Sequence, residues 1–516
     1  MRKMKYMHAR LMSWQKLARY GKAVTTLEQG RAKRLGEALA RDHADLELLQ
    51  QRDPQAFEGY QNAAREVRQL EMLERQDSLT APRREKQGSI PKVSYEEINY
   101  ARTRLEQAIE HIRLLPDFKD FLIELPFERI AASATPTHPL AYLVVTPWES
   151  LILVVGHNSQ EPEPLFIDAF THEKLEALIT GTLNEGLREL GKLLIGSLAH
   201  HLQAMGASGV TLIPAGMLGV LPLHAARYQQ EERMVALFDE FDVTYAPSVR
   251  VLNIVQREDQ RRRKKHMHLL ALGDPRIDGL SAPPPLIYAR EEVEYIVGLL
   301  PPESATSVCE EKATLQAFWE HVPQASIAHF ACHGDFDPVH PLNAKLRLAH
   351  GKNLTLEALL NNTKPELLSH LRIAMLSACQ SAQVDTSLVP DEVLRLPAGF
   401  LQAGVPMVIG TLWTVNDRST QLLMGRFYEL LLHGDPQHGI TPQPPARALR
   451  LAQCWLRDLT KDTLRSYIAS RQVKLVQPKQ EVPSVVEEKQ VPYANPYYWA
   501  AFVYLGVPPE ETQVMS

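Results

Sequence analysis

From about residue 139 onward the chain alternates short apolar runs with stretches of helical periodicity, and this alternation constrains its fold more than anything else in it. Runs at 140–145, 150–155, 210–214, 241–245, 268–273, 326–334, 354–360, 371–381, 406–412 and 499–505 have strand length and strand composition. Residues 175–205, 290–300, 396–403, 418–433 and 444–459 between them read as helices. Strands this apolar are buried on both faces, and intervening helices return the chain to the same edge of a sheet. The expected fold class is therefore α/β, a mostly parallel sheet flanked by helices. The runs at 140–145 and 150–155 are close enough to form a hairpin.

Residues 1 to about 115 read differently, as an α-helical N-terminal region. Leu11, Trp14, Leu17 and Ala18 fall at helical spacing, as do Leu27, Ala32, Leu35, Leu39, Leu46 and Leu49, and then Ala63, Val67, Leu70 and Leu73. Residues 77–91 read as a polar loop, and Ser94-Tyr-Glu-Glu97 as a capping box opening another helix. The charged stretch 256–266 reads as a solvated linker or helix end, and 473–492 as a mobile insertion.

Length allows two to four domains with full cores. The net charge of -5 over 516 residues argues against a general nucleic-acid binder. Four cysteines without paired spacing make neither a disulfide framework nor a structural zinc site. No apolar run approaches 18 residues, and the basic N-terminus has no apolar segment behind it, so neither a membrane span nor a signal peptide is expected. These features fit a cytoplasmic protein without a metal or other cofactor, in which a lone thiol stays reduced.

Two strand patterns end on reactive side chains. Ser326-Ile-Ala-His-Phe-Ala-Cys-His-Gly334 ends near His333, and Leu371-Arg-Ile-Ala-Met-Leu-Ser-Ala-Cys-Gln-Ser381 ends near Cys379. Chemistry in such sheets gathers at the carboxyl ends of strands. A cysteine nucleophile needs a base for its proton, and an imidazole titrates near neutrality. The backbone N–H groups of Gly334 and Cys379 are candidates for an oxyanion hole. Cys332 is expected on the opposite face from His333, in the core, because side chains alternate along a strand. His329 shares the face of His333. The 46-residue separation leaves room for one crossover, 343–370, between neighbouring strands.

Ala328-His-Phe-Ala-Cys-His-Gly334, Leu376-Ser-Ala-Cys-Gln-Ser381 and the stretch from Ala398 to Asp417 resemble the CHAT family, caspase-like cysteine peptidases often joined to tetratricopeptide repeats. Leu212-Ile-Pro-Ala-Gly-Met-Leu-Gly-Val-Leu-Pro222, Ala246-Pro-Ser248, Gly273-Asp-Pro275, Ala289-Arg-Glu-Glu292 and Asn495-Pro-Tyr-Tyr-Trp-Ala-Ala-Phe502 support the likeness. The resemblance implies a caspase-like sheet with an inactive half, 116–257, and a catalytic half, 258–516. It maps the family's histidine and cysteine to His333 and Cys379. Residues 26–39 resemble the end of a tetratricopeptide array, and 1–115 a remnant of one. Where the family's cysteine motif often continues Thr-Gly, this chain has Ser381-Ala382.

The expected activity is cysteine endopeptidase action on a partner protein, by resemblance in a defence or programmed-death setting, with a regulatory protein docking on the helical region. Asp335, Asp337, Asp391, Glu392 and Asp417 are candidates for the pocket that takes the residue before the scissile bond; their charge favours a basic or neutral residue there. Asp417 also reads as a helix N-cap. The competing readings are a scaffold with a vestigial site, a helical-repeat adaptor and, more distantly, a metal-dependent hydrolase.

Overall fold

In the computed structural model of the protein the described residues are 20–31, 49–50, 52–80, 95–118, 125–263, 266–277, 283–335, 343–360, 365–379, 396–470 and 490–509. Contacts group residues 33–125 into one compact unit, and residues 1–32 with 126–516 into another.

The smaller unit contains α2 (Pro54–Thr80) and α3 (Tyr95–Arg113). Ala56, Tyr60, Ala63, Ala64 and Val67 recur at helical spacing on α2 and bury against Ala101, Leu105 and Ile112 of α3. The helix α2 runs on to Thr80, into what reads in sequence as a loop. Ser94, residues 81–91 and most of 26–39 lie outside the described residues.

Among the described residues of the larger unit thirteen strands make one sheet. The strands are β1 (Leu140–Val145), β2 (Ser150–Val155), β3 (Glu163–Ile167), β4 (Gly209–Pro214), β7 (Asp242–Tyr245), β8 (Leu269–Gly273), β9 (Ala305–Cys309), β10 (Ile327–Asp335), β11 (Lys345–Leu346), β12 (Leu354–Thr355), β13 (Ile373–Cys379), β14 (Met407–Thr411) and β15 (Phe502–Gly506). A separate hairpin joins β5 (Arg227–Gln230) to β6 (Arg233–Ala236). The strands β9, β8, β10, β13 and β14 are neighbours in that order and all parallel. So are β15, β7, β4 and β1. The join between the two sets is antiparallel, β14 to β15, over five register pairs. The hairpin expected at 140–155 is present, β1 pairing β2 from Leu140↔Val155 to Val145↔Ser150.

Helices cover both faces. The ones used below are α1 (Tyr20–Arg31), α4 (Leu183–Leu190), α5 (Val249–Arg262), α6 (Ile287–Gly298), α7 (Leu315–His321), α8 (Leu396–Gln402), α9 (Asp417–Leu432) and α10 (Pro445–Asp458). On one face of β10, Phe330 packs between Phe318 of α7 and Phe400 of α8. On the other, His329 meets α6 and α9.

Three further sequence expectations change. The helix expected over 175–205 is broken into His172–Thr180, α4, a π turn at Gly191–Ile195 and Gly196–Ala204. Gly191 sits so close to the backbone of Arg227 that no Cβ fits there, and the turn lets that approach happen. The run 354–360 is a strand for two residues only; Thr355 Oγ1 then accepts from the Ala358 N–H at 3.0 Å and starts a helix. The charged stretch 256–266 is not solvated throughout: Asp259 is fully buried and Arg262 nearly so.

Candidate active site

His333 and Cys379 are register partners on neighbouring parallel strands, β10 and β13. The pairing runs without a break from Ile327↔Ile373 to His333↔Cys379. Each strand is central in the sheet, which explains runs that are apolar on both faces. Both residues stand at the carboxyl ends of their strands. Cys332, one residue earlier, is buried in the core.

The imidazole of His333 is held by the chain preceding α6. Its Nε2 lies 2.9 Å from the Pro284 carbonyl oxygen. A carbonyl only accepts, so in the neutral ring Nε2 carries the hydrogen and Nδ1 is the basic nitrogen. A backbone carbonyl serves as the orienting group that a general base requires. It is not legible in sequence, because any residue type supplies one.

Gly334 continues β10 in register with Leu346, and β13 ends at Cys379. Asp335 is engaged by Arg347 at 2.7 Å and by Lys345 at 3.7 Å, both from or next to β11. Asp337, Asp391 and Glu392 lie outside the described residues.

Asp417 is the first residue of α9, and the N-cap is its neighbour, Asn416, whose Oδ1 accepts from the Ser419 N–H at 3.0 Å. The Asp417 carboxylate instead accepts from the Tyr288 N–H at 2.9 Å. Burial pushes its pKa up to about 7; the Tyr288 N–H opposes this, and Glu292, Asp274 and Glu291 reinforce it.

Asp417, Glu292, Ala331, Ser377 and Thr420 line a small cavity of about 10 Å³, room for one water-sized group. Ala331 and Ser377 sit two residues before His333 and Cys379 on the same two strands, and alternation puts Ala331 on the face of His333. The hydroxyls of Ser377 and Thr420 are buried with no hydrogen-bond partner among the described residues. Glu292 is 2% exposed and accepts from His329 Nε2 at 2.8 Å, while the Tyr428 hydroxyl donates to His329 Nδ1 at 3.2 Å. Together these groups set two carboxyl groups and two hydroxyls around the cavity.

Asp274, which follows β8, adds a further carboxylate nearby. Its φ of 42° is left-handed, unusual for a residue other than glycine, and its N–H bonds the Ala331 carbonyl at 3.0 Å. Burial raises its pKa, and His333 is among the charges opposing that rise. Asp274 lies in the Gly273-Asp-Pro275 motif; its closeness to His333 follows from the pairing of β8 with β10, which sequence does not show.

Cys309 and Cys454 are raised chiefly by burial, Cys454 to about 12, and are poor nucleophiles. Among the described residues no cluster of histidine, cysteine and carboxylate side chains suits a metal ion, and no helix is long and apolar enough to cross a membrane.

The chain is similar to separase in the separase–securin complex of Saccharomyces cerevisiae (9% identity, TM-score 0.43), matching 81% of this chain and 34% of that one. A second structure of that complex matches 94% of this chain and 40% of its own (10% identity, TM-score 0.41). It is also similar to the Arg-specific cysteine proteinase gingipain R, from Porphyromonas gingivalis (10% identity, TM-score 0.38), over 66% of this chain and 70% of that one. The chain thus spans well under half the length of the separase chains it matches. No curated protein matches it. The model of the CHAT domain matches residues 184–507, more than half of the sequence, and the chain belongs to the CHAT domain family.

Proposed function

We propose that this protein is a caspase-like cysteine endopeptidase acting on a partner protein. The observation that carries the reading is the register pairing of His333 with Cys379, with Nε2 of His333 tied to the Pro284 carbonyl. In this mechanism Nδ1 of His333 takes the thiol proton and the Cys379 sulfur attacks the scissile carbonyl carbon. The tetrahedral oxyanion is held by the N–H groups of Gly334 and Cys379, worth about 10²–10³ in rate per donor. Collapse breaks the C–N bond, and His333 returns the proton to the leaving amine. Water then hydrolyses the acyl-enzyme.

The small cavity favours a positive residue before the scissile bond. Asp417 and Glu292 supply the carboxyl groups, Asp274 adds to the field on Asp417, and the free hydroxyls of Ser377 and Thr420 supply acceptors. An ammonium group is water-sized and fits this cavity better than a guanidinium. Asp335, Asp391 and Glu392 are further candidates for contact with the substrate. The catalytic half is 258–516 and the inactive half 116–257. A regulatory protein docking on the helical region, a cytoplasmic setting and a role in defence or programmed death complete the proposal.

The test is a peptide-library digest, read by mass spectrometry of the new termini. Wild-type protein should cut after lysine more than after arginine or neutral residues. Cys379→Ala and His333→Ala should each lower cleavage by about 10⁴-fold or more. Undiminished cleavage by Cys379→Ala would overturn the assignment.

A further inference from the structure

An open cavity of about 350 Å³ lies between α4, the start of β5 and the turn at Ala494–Asn495, where the first half of the sheet meets the segment leading into β15. Its volume falls within the range of small-molecule sites, which favour such junctions. Two guanidinium groups line it, Arg188 and Arg227. Neither forms a hydrogen bond or ion pair with a described residue. Arg227 is half-buried, and its pKa is lowered by burial first, then by Arg457 and Arg188. The neighbouring carboxylates are already engaged: Arg457 bonds Asp239 at 2.6 Å and Asp458 at 2.8 Å. Arg227 is therefore a partly desolvated cation beside two like charges, and the carboxylates that act on it, Asp239 and Asp458, are shared with Arg457, so its charge is incompletely balanced among the described residues and an anion would stabilise it.

The other walls carry hydrogen-bonding groups of both kinds. Asn184 and Asn495 present amides, and the Asn495 Oδ1 is occupied by the Tyr497 N–H at 3.0 Å, leaving its NH₂ to donate. Glu185 brings a carboxylate that accepts from the Thr182 hydroxyl at 2.8 Å. A purely anionic ligand would be repelled there, whereas one with hydroxyl donors at that end would be held. The geometry points to a binding site for a small phosphate ester carrying hydroxyl groups, of nucleotide or sugar-phosphate size. Its phosphate sits between Arg188 and Arg227, whose planar forks match phosphate oxygens, and its hydroxyls reach Glu185 and Asn184. The site does not depend on the dyad.

Calorimetric titration of the full chain with AMP, ATP, glucose 6-phosphate, adenosine and inorganic phosphate tests this. Saturable binding is expected for at least one ester, weaker binding for inorganic phosphate, and none for adenosine. Arg227→Ala and Arg188→Ala should each weaken the ester by about tenfold or more, the scale of one charge-assisted hydrogen bond. Arg227→Lys should fall between, keeping charge but losing the fork. Without ligand, Arg227→Ala should melt at or above the wild-type temperature. Arg188 is exposed, so its variant keeps the test open should Arg227→Ala fold poorly. Three results would each overturn the site: no ester binding, ester binding unchanged in both alanine variants, or inorganic phosphate binding as tightly as the esters.

Discussion

Asp417 is where a single side chain carries a measurable consequence. Its ordinary value of 3.8 rises to about 7 in the fold, chiefly through burial. Between about pH 4 and pH 7 the native state keeps a proton that the unfolded chain has lost, so stability falls as pH rises through that window. Asp417→Asn should remove this slope, leaving the variant more stable than wild type near pH 8 by about 1–4 kcal/mol. Thermal melts at pH 5 and pH 8 check it; an unchanged slope would mean that Asp417 ionises freely. His333 and Cys379 were legible because each closes an apolar run on a reactive group. Glu292, Ser377 and Thr420 were not. They come from three distant segments, and only the packing of α6 and α9 on the sheet gathers them.

Among the elements, α5 holds the base of the strand that bears Cys379. Asp259 Oδ1 accepts from Arg372 Nε at 3.0 Å and from its NH2 at 2.9 Å, just before β13 begins. Its Oδ2 accepts from Arg263 Nε at 2.8 Å. Arg262 donates to the carbonyls of Leu368 and Leu371, at 3.2 and 2.6 Å. Removing one partner of such a buried pair strands the other charge, so Asp259→Ala should cost about 3–5 kcal/mol and lower the melting temperature. A loss below about 1 kcal/mol would show that the network is solvated after all. In sequence this stretch reads as surface because charge runs usually are; its partner, Arg372, is 113 residues away. The large strands were readable from apolarity alone. The hairpin β5–β6 and the edge strands β3 and β9 were not, since edge strands are less buried and carry polar residues.

For the molecule as a whole, the first helix belongs to the larger unit although the chain between leaves it for residues 33–125. Ala23, Val24 and Leu27 of α1 are buried. Glu28 accepts from the Tyr142 hydroxyl at 2.9 Å and from the N–H groups of Val249 and Arg250 at 3.0 and 3.3 Å, at the amino end of α5. A carboxylate there satisfies orphan donors and complements the helix dipole. Glu28→Ala should destabilise the larger unit by about 1–3 kcal/mol, read as a lower unfolding temperature in calorimetry. An unchanged transition would mean that α1 contributes nothing to that unit. Sequence showed the helical character of the N-terminal region, but not which unit each helix joins, because that depends on contacts 221 residues apart.

The antiparallel seam between β14 and β15 reverses the polarity of the sheet halfway across. The parallel strands β1, β4, β7 and β15 therefore finish on the rim opposite to the one where β10 and β13 finish. The chain leaving β7 and the chain entering β8 consequently meet on one and the same rim, and α5 joins them without having to cross the sheet. Along the rim where His333 and Cys379 stand, β1, β4, β7 and β15 offer the places where they begin, and β2, antiparallel to β1, finishes there. A polypeptide lying across that rim would thus meet loops that shape a site on one side of the seam, and mainly strand origins on the other.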